Sequence, residues 1–404
     1  LGASFFFLEY FARVDPSVIV PELMTAFQVG AFSLGSLSAL FYYPYIAMQL
    51  PVGALIDRFG PHRLLTGATL LCSLGCFLFY TAKGLHVAGL SRALMGFSAA
   101  FAFVGTLKLA TIWFEPRRLG LLAGLTQGIG MLGAAVGEGF FSYVAEKIGW
   151  RNALASVAVT LFILAILIGF IVRDKRPTLL SRMIPESSQI RIWDGLMIVF
   201  RNPHSWGAAL YAGLIYGPTG ALAEFWGPSF LHQVYNMSPE LSAFSISTIF
   251  IGLAVGGPLL GSLSDHIGLR RPIMLCSAIF SLILISIVLY IPHLPLLLLL
   301  TVLFFYGVSN MGVSLSYAVA GELNPRPVAG ISIAFTNMMS VLVAAALQPL
   351  IGWLLVLHWQ GLSVDGHPYY SAADYQNALA MLPVSLIFAI VIAVFIRETH
   401  CRSK

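Results

Sequence analysis

Charge is what this chain has least of. Only 10% of its 404 residues are Asp, Glu, Lys or Arg and 58% are hydrophobic, where a soluble domain carries about 25% charged residues. So few charges cannot coat a water-soluble globule, and the apolar surplus must face lipid. Cysteine is scarce too. Cys72, Cys76 and Cys276 fall in apolar runs and Cys401 in the tail, which leaves no pair in an oxidising loop for a disulfide. The Cys72/Cys76 spacing reads as small-residue packing, since no His or acid lies near it in sequence. His232, His293, His358 and His367 are scattered without metal-ligand spacing. No Gly-x-x-x-x-Gly-Lys loop is present, so ATP is not expected to act directly, and neither an enzyme nor a cofactor is expected. The net charge of +5 is not gathered on one soluble basic face, which argues against a nucleic-acid partner.

What is present is a series of apolar runs of about 20 residues, each able to cross a ~30 Å hydrocarbon core. They fall near 3–24, 33–56, 64–83, 87–113, 118–143, 152–172, 206–231, 241–263, 272–291, 295–319, 328–356 and 377–396. An all-α membrane protein with twelve transmembrane helices is the expectation. The first run reads as a true span, because charges break it and no small-residue cleavage site follows. The loops at 57–63, 114–118, 173–205, 264–271 and 320–327, with the tail from 397, hold all but six of the 22 basic residues. Of those six, Lys83, Lys147 and Arg151 occupy opposite loops, while Arg13, Arg92 and Lys108 lie within spans. This asymmetry predicts that the basic loops and both termini are cytoplasmic.

The longest polar break divides six spans from six. Two bundles are expected, over 1–172 and 206–404, joined by a linker at 173–205. Within the linker "IRIWDGLMIVFR" is amphipathic and basic, as a helix lying on the membrane surface would be. The halves also echo each other. "GALIDRFGPHR" at 53–63 recurs as "GSLSDHIGLRR" at 261–271, placing Asp57 on Asp265 at an offset of 208, and the same offset lays "FQV" at 27–29 on "YNM" at 235–237. Such duplication is what membrane folds built from repeats predict.

"GALIDRFGPHR" resembles the signature between the second and third helices of the major facilitator superfamily, Gly-x-Leu-x-Asp-Arg-x-Gly followed by basic residues. "RALMG" at 92–96 resembles the Arg-x-x-x-Gly pattern of the family's fourth helix. With twelve spans and a long central loop, the resemblance covers the whole chain. It implies a secondary transporter of the bacterial inner membrane, with two pseudo-symmetric six-helix halves working by alternating access as a monomer. Gly53, Asp57, Arg58, Gly60 and Arg63, with Arg92 and Asp265, are then gating residues. Gly53 and Gly60 would permit close helix approach, and Asp57 would sit against a helix N-terminus of the other half, latching the cytoplasmic face. Arg58 and Arg63 would pair with acids or lipid phosphates. His266 replaces Arg58 in the second copy, so a weaker latch is expected there, and Glu322 reads as loop or latch chemistry. One departure matters. "GLTQGIGMLGAAVGEG" at 124–139 lacks the proline of the fifth-helix Gly-Pro signature of the family's proton antiporters, which disfavours drug–proton antiport. Its Gly120/Gly124/Gly128 and Gly133/Gly137 spacings suit close packing.

An ionisable residue within a span costs several kcal/mol unless it is paired or hydrated, so each is a functional candidate. The resemblance implies that helices 1, 4, 7 and 10 line a central cavity. Counted at about 1.5 Å per residue from the cytoplasmic ends, Glu9 is level with Lys108 and Arg92 lies about 24 Å from Lys108. Glu9, Arg13 and Lys108 are therefore expected to form one tier. One acid against two bases leaves positive charge for an anionic substrate to neutralise, and Arg13's planar fork suits a carboxylate or phosphate. A closed structural cluster is the alternative. Glu224, Asp15 and Glu138 are the candidates for carrying a coupling proton, Glu224 foremost because the second half has no other mid-span acid. Tyr211, Tyr216, Asn310, Tyr317 and Asn337, with Trp226, would line the far wall. The expectation is transport of a small organic anion, with protons as coupling ion and the lipid bilayer as surroundings; the resemblance implies uptake of carboxylates, carboxylate siderophores included. Export of drugs or metabolites is one alternative; a non-transporting sensor or lipid-handling protein on the same fold is another.

Overall fold

Three of the twelve spans look least like membrane helices, each for a reason visible in its residues. The computed structural model describes residues 1–114, 119–173, 192–291, 293–325, 328–359, 361, 363–364 and 367–401. Among these, nine helices are long and apolar enough to cross a membrane unaided, from Pro61–Thr81 to Ala372–Phe395. Gly2–Phe27 is as long but carries Glu9, Arg13, Asp15 and Glu22, and Ala31–Met48 folds back from it at 120°. That second span resumes after a short break as Pro51–Phe59. The seventh runs through Pro203–Ala221, Leu222–Trp226 and Gly227–Tyr235, broken at mid-depth. With these three the described residues form twelve spans, numbered 1 to 12 in chain order, spans 6, 8, 9, 10 and 12 being Trp150–Ile171, Pro239–Ile267, Arg271–Tyr290, Leu296–Glu322 and Ala372–Phe395. Their outward faces are apolar: Phe170, Leu297 and Phe395 stand about three-quarters or more exposed, as side chains facing lipid do.

The spans form two six-helix halves. In the first, span 1 packs on spans 4 and 5 (Leu85–Trp113 and Leu119–Ile148), and span 3 (Pro61–Thr81) on spans 4 and 6. Gly133 and Gly137 of span 5 sit directly on span 1, since a Cβ at Gly137 would stand 3.0 Å from the Phe11 Cα. Gly124 and Gly128, expected to pack in the same way, have nothing within 4 Å. In the second half span 7 packs on spans 10, 11 and 12.

Span 2 and span 11 (Ala329–His358) form an antiparallel seam between the halves, and spans 5 and 8 form another. A Cβ at Gly352 would come within 2.6 Å of the Ala31 carbonyl, and one at Gly35 within 2.5 Å of the Gln348 carbonyl. Further along, Tyr42 meets Gln348, and the Asn337 amide donates to Gln49 Oε1 at 3.1 Å. Beyond Gln49, Pro51–Phe59 packs on spans 3 and 4 of its own half. The seam is thus tight at the end of the bundle opposite the 53–63 motif, here called the far end.

At the motif end Gly60 and Gly268, one repeat apart, both close a span in the left-handed region, at φ 84° and 73°. That conformation is the reason for glycine at each. A Cβ at Gly53, by contrast, would meet no neighbouring element within 4 Å, so the expected close approach is not made there. The linker helix spans Ile192–Arg201. It buries Leu196 and Val199 near Phe335 and Ala209 while Trp193 stands 80% exposed; residues 174–191 of the linker lie outside the described residues.

Candidate functional site

Two helix breaks build the site. Pro16 has no N–H, so it cannot supply the bond the Ala12 carbonyl would accept in a continuous helix, and Asp15–Ile19 tightens into a 3-10 turn. Arg92 of span 4 takes that place. Its Nη1 donates to the Ala12 carbonyl at 3.0 Å and its Nη2 to the Arg13 carbonyl at 3.1 Å. Span 7 repeats the device. Pro218 leaves the Leu214 carbonyl open, and Ser385 of span 12 donates to it at 2.8 Å. Asn310 of span 10 donates to the neighbouring Ile215 carbonyl at 2.7 Å. The helix then widens into a π turn at Leu222–Trp226, a feature frequent at functional sites, which carries Glu224.

Between the breaks lies Arg13, 2% exposed. Its Nε and Nη2 donate to Glu9 Oε1 at 3.0 and 2.5 Å. Aromatic rings surround the guanidinium, with centroids 4.2 Å away for Tyr10 and 5.1 Å for both Phe41 and Tyr45. Across the seam its Nη1 stands 4.0 Å from Glu224 Oε1. Tyr216 donates to that same oxygen at 2.7 Å, and Tyr42 donates to Glu224 Oε2. Gln348 holds the Tyr42 hydroxyl and the Gly220 carbonyl, at 3.3 and 3.0 Å, while Trp226 donates to the Gln348 carbonyl at 3.0 Å. Arg13, expected in the substrate tier, and Glu224, expected as a proton carrier, therefore form one cluster shared by both halves.

Several expectations are corrected by this geometry. Arg92, read as a gating residue, is buried behind Arg13 and ties span 4 to the backbone of span 1. Lys108 is not level with Glu9. Thr106 lies against Gly2, so at about 1.5 Å per residue Lys108 sits about 13 Å beyond Glu9 toward the motif end. Depth counted from a common end does not hold here, because span 4 runs on past the first turn of span 1. Tyr211 donates to the Met274 carbonyl at 2.7 Å, inside the second half, so it and Asn310 brace span 7. Tyr216 alone of the expected wall residues reaches the charged cluster. Tyr317 and Asn337 lie nearer the motif end, bonded to each other at 3.2 Å and through Asn337 to Gln49.

Asp15 and Glu138 form a second acidic pair farther toward the far end. Ser17 Oγ lies 2.7 Å from Glu138 Oε1. Both Asp15 oxygens and Glu138 Oε2 are buried with no hydrogen-bond partner among the described residues. At the motif end Arg58 and Arg63 are exposed, and the side chain of Asp57 lies outside the described residues. In the second copy Asp265 and Arg270 are engaged within their own half. Arg270 donates to Asp265 at 2.7 Å and to Glu322 at 2.9 Å, and Thr399 donates to Glu322 at 2.5 Å. Glu398 accepts from the Arg270 and Arg271 amides, each at 2.9 Å, capping the start of span 9. Tyr42, Gln348 and Glu398 are not legible as site residues in the sequence, since uncharged or terminal residues carry no signal until their neighbours are known.

A lipid-facing bundle of apolar helices with a charged cluster buried at the seam of its halves defines an integral membrane protein. The chain belongs to the Major Facilitator Superfamily, whose model matches residues 2–349. It is 28% identical over 62% of its length to the "Uncharacterized transporter YybO" of Bacillus subtilis. To the "Probable sulfoacetate transporter SauU" of Cupriavidus necator it is 25% identical over 65% of its length. These alignments span 61% and 63% of the two relatives. The "Probable galactarate/D-glucarate transporter GarP" of Escherichia coli matches at 24% identity over 86% of this chain and 85% of its own. The fold matches crystal structures of a bacterial homologue of the human lysosomal transporter Spinster, in inward-facing occupied and unoccupied conformations. TM-scores are 0.78 and 0.79 at 12% and 14% identity, covering 98% of this chain and 95% of the other.

Proposed function

We propose that the protein carries a small organic anion across the membrane by alternating access, with protons as the coupling ion. The observation that supports this is Arg13: a planar cation buried at the seam, braced by Arg92, with Glu9 on one side and Glu224 of the opposite half on the other. A carboxylate or sulfonate bound there would touch both halves at once, as alternating access requires. The names of SauU and GarP point to the same chemical class, and a carboxylate siderophore presents the same group. Glu224, Asp15 and Glu138 are the buried acids available to carry a proton.

In this reading the halves are 1–172 and 206–404, the protein is a monomer in a bacterial inner membrane, and the motif end, with both termini, faces the cytoplasm. Lys108, toward that end, draws the anion to the mouth. The mouth is flanked by Gln49, Tyr317 and Asn337. The Asp57 motif closes it when the far end opens, so Asp57→Asn should slow transport while preserving expression.

The test is flux. Purified protein in liposomes should accumulate labelled D-glucarate, galactarate or sulfoacetate when a proton gradient is imposed, and Arg13→Ala should abolish it. Accumulation of cationic or neutral compounds instead, with none of these anions moved, would sink the reading.

A further inference from the structure

The surroundings of Glu224 are those of a carboxylate receptor, assembled largely from elements other than its own. Arg13 comes from span 1 and Tyr42 from span 2; only Tyr216 belongs to span 7. Both carboxylate oxygens are served, and Gln348 of span 11 holds Tyr42 in place.

The rest of the Arg13 guanidinium is taken. Nε and Nη2 are bound to Glu9, and Tyr10, Phe41 and Tyr45 surround it. Only Nη1 faces the seam, and there it meets Glu224. A substrate carboxylate that is to reach Arg13, as the proposed function requires, must land where the Glu224 carboxylate now stands.

We infer that Glu224 occupies the substrate's carboxylate subsite as a tethered competitor, and that protonation of Glu224 vacates it. The inference rests on the anion-transporter reading and assigns the coupling within it. Its charge balance closes. Before binding, the cluster holds the Arg13 cation with the Glu9 and Glu224 anions. After binding it holds Arg13, Glu9 and the substrate anion, with a new O–H bond on Glu224. The proton comes from water on the side where the substrate enters. One proton therefore enters with the carboxylate that takes the subsite, the charge beside Arg13 is unchanged whatever second acidic group the anion carries, and the Tyr42 and Tyr216 hydroxyls pass from Glu224 to the substrate. The charged and titratable groups acting on Glu224 are Glu9, Tyr10 and Arg13 of span 1, Tyr42 of span 2, Glu138 of span 5 and Tyr216 of span 7. Arg13 is the cation among them.

The experiment is calorimetric titration of nanodisc-embedded protein with D-glucarate, galactarate and sulfoacetate, near pH 5.5 and 7.5, in buffers of different ionisation enthalpy. Wild type should bind at least about tenfold tighter at the lower pH and take up one proton per anion. Glu224→Gln, which cannot hold the anionic form, should bind at the higher pH about tenfold or more tighter than wild type, with no proton uptake. Weaker binding by Glu224→Gln, or an unchanged pH response, overturns the inference. So does wild-type binding without proton uptake, which decides alone if the variant does not fold. Failure of both proteins to bind any of the three anions overturns it as well. Arg13→Ala separates the two levels. If it binds like wild type, Arg13 is not the anion's anchor and the site assigned to the anion falls with it; if it loses binding while Glu224→Gln fails to tighten, only the competition falls.

Discussion

Arg13 carries the strongest single-residue expectation. Its fork is already committed to Glu9 through two N–H groups, so the guanidinium's plane is set before any ligand arrives. A hydrogen bond to a charged group is worth about 1.5–3 kcal/mol, so Arg13→Ala should weaken anion binding about tenfold to a hundredfold. Arg13→Lys should fall between, because an ammonium cannot serve Glu9 and a substrate in one plane. Titration of the three proteins with D-glucarate orders them; equal affinities would remove Arg13 from the site. The sequence exposed Arg13 and Glu224 because a charge inside an apolar run stands out. It could not show that they face each other. Distance along one helix is legible in a sequence, but the register between two helices is set by packing, and the misplaced depth of Lys108 has the same origin.

At the scale of elements, the start of span 9 shows how a terminal segment can secure a helix. Partial burial works against the Glu398 carboxylate, but the Arg270, His400, Arg271 and Thr399 amides that point at it outweigh that and hold it below the ordinary glutamate value of 4.5. A lowered value in the fold means that the contact contributes stability above about pH 4.5 and loses it as the pH falls further. Glu398→Gln should therefore melt below wild type at neutral pH, and the gap should close under acid. Melting curves of the detergent-solubilised pair between neutral pH and about pH 3.5 test this; a gap that widens under acid would contradict it. Spans as elements were legible from apolar runs, and their ends mostly fell within a few residues of expectation. The broken middles of spans 1 and 7 were not, although Pro16 and Pro218 marked them, because the groups that repair each break come from other spans.

For the whole molecule, the seam between spans 2 and 11 decides which end is closed. Gly35 lies close enough to the Gln348 backbone that a methyl group must push the two spans apart. Gly35→Ala should shift the population toward opening at the far end while leaving each half folded. Cysteines placed in the far-end loops would then label faster, whereas unchanged labelling would show that the seam yields without opening. The two-half plan was visible in the repeated motif, but the tightness of one end over the other depends on backbone contacts across halves, which no local pattern records.

The partnership of Pro16 with Arg92 has a consequence for heredity. Arg92 is needed where it is because a proline 76 positions earlier, in a different helix, leaves a carbonyl open. Loss of the arginine should be damaging in the parental background and nearly tolerated once position 16 regains an N–H. Arg92→Leu should therefore abolish growth that depends on the transported compound, and Pro16→Ala should arise among its second-site suppressors. If no substitution at position 16 rescues Arg92→Leu, the guanidinium does more than mend the helix. If rescue is found, the two positions have been free to change only together, each substitution opening the way for the other.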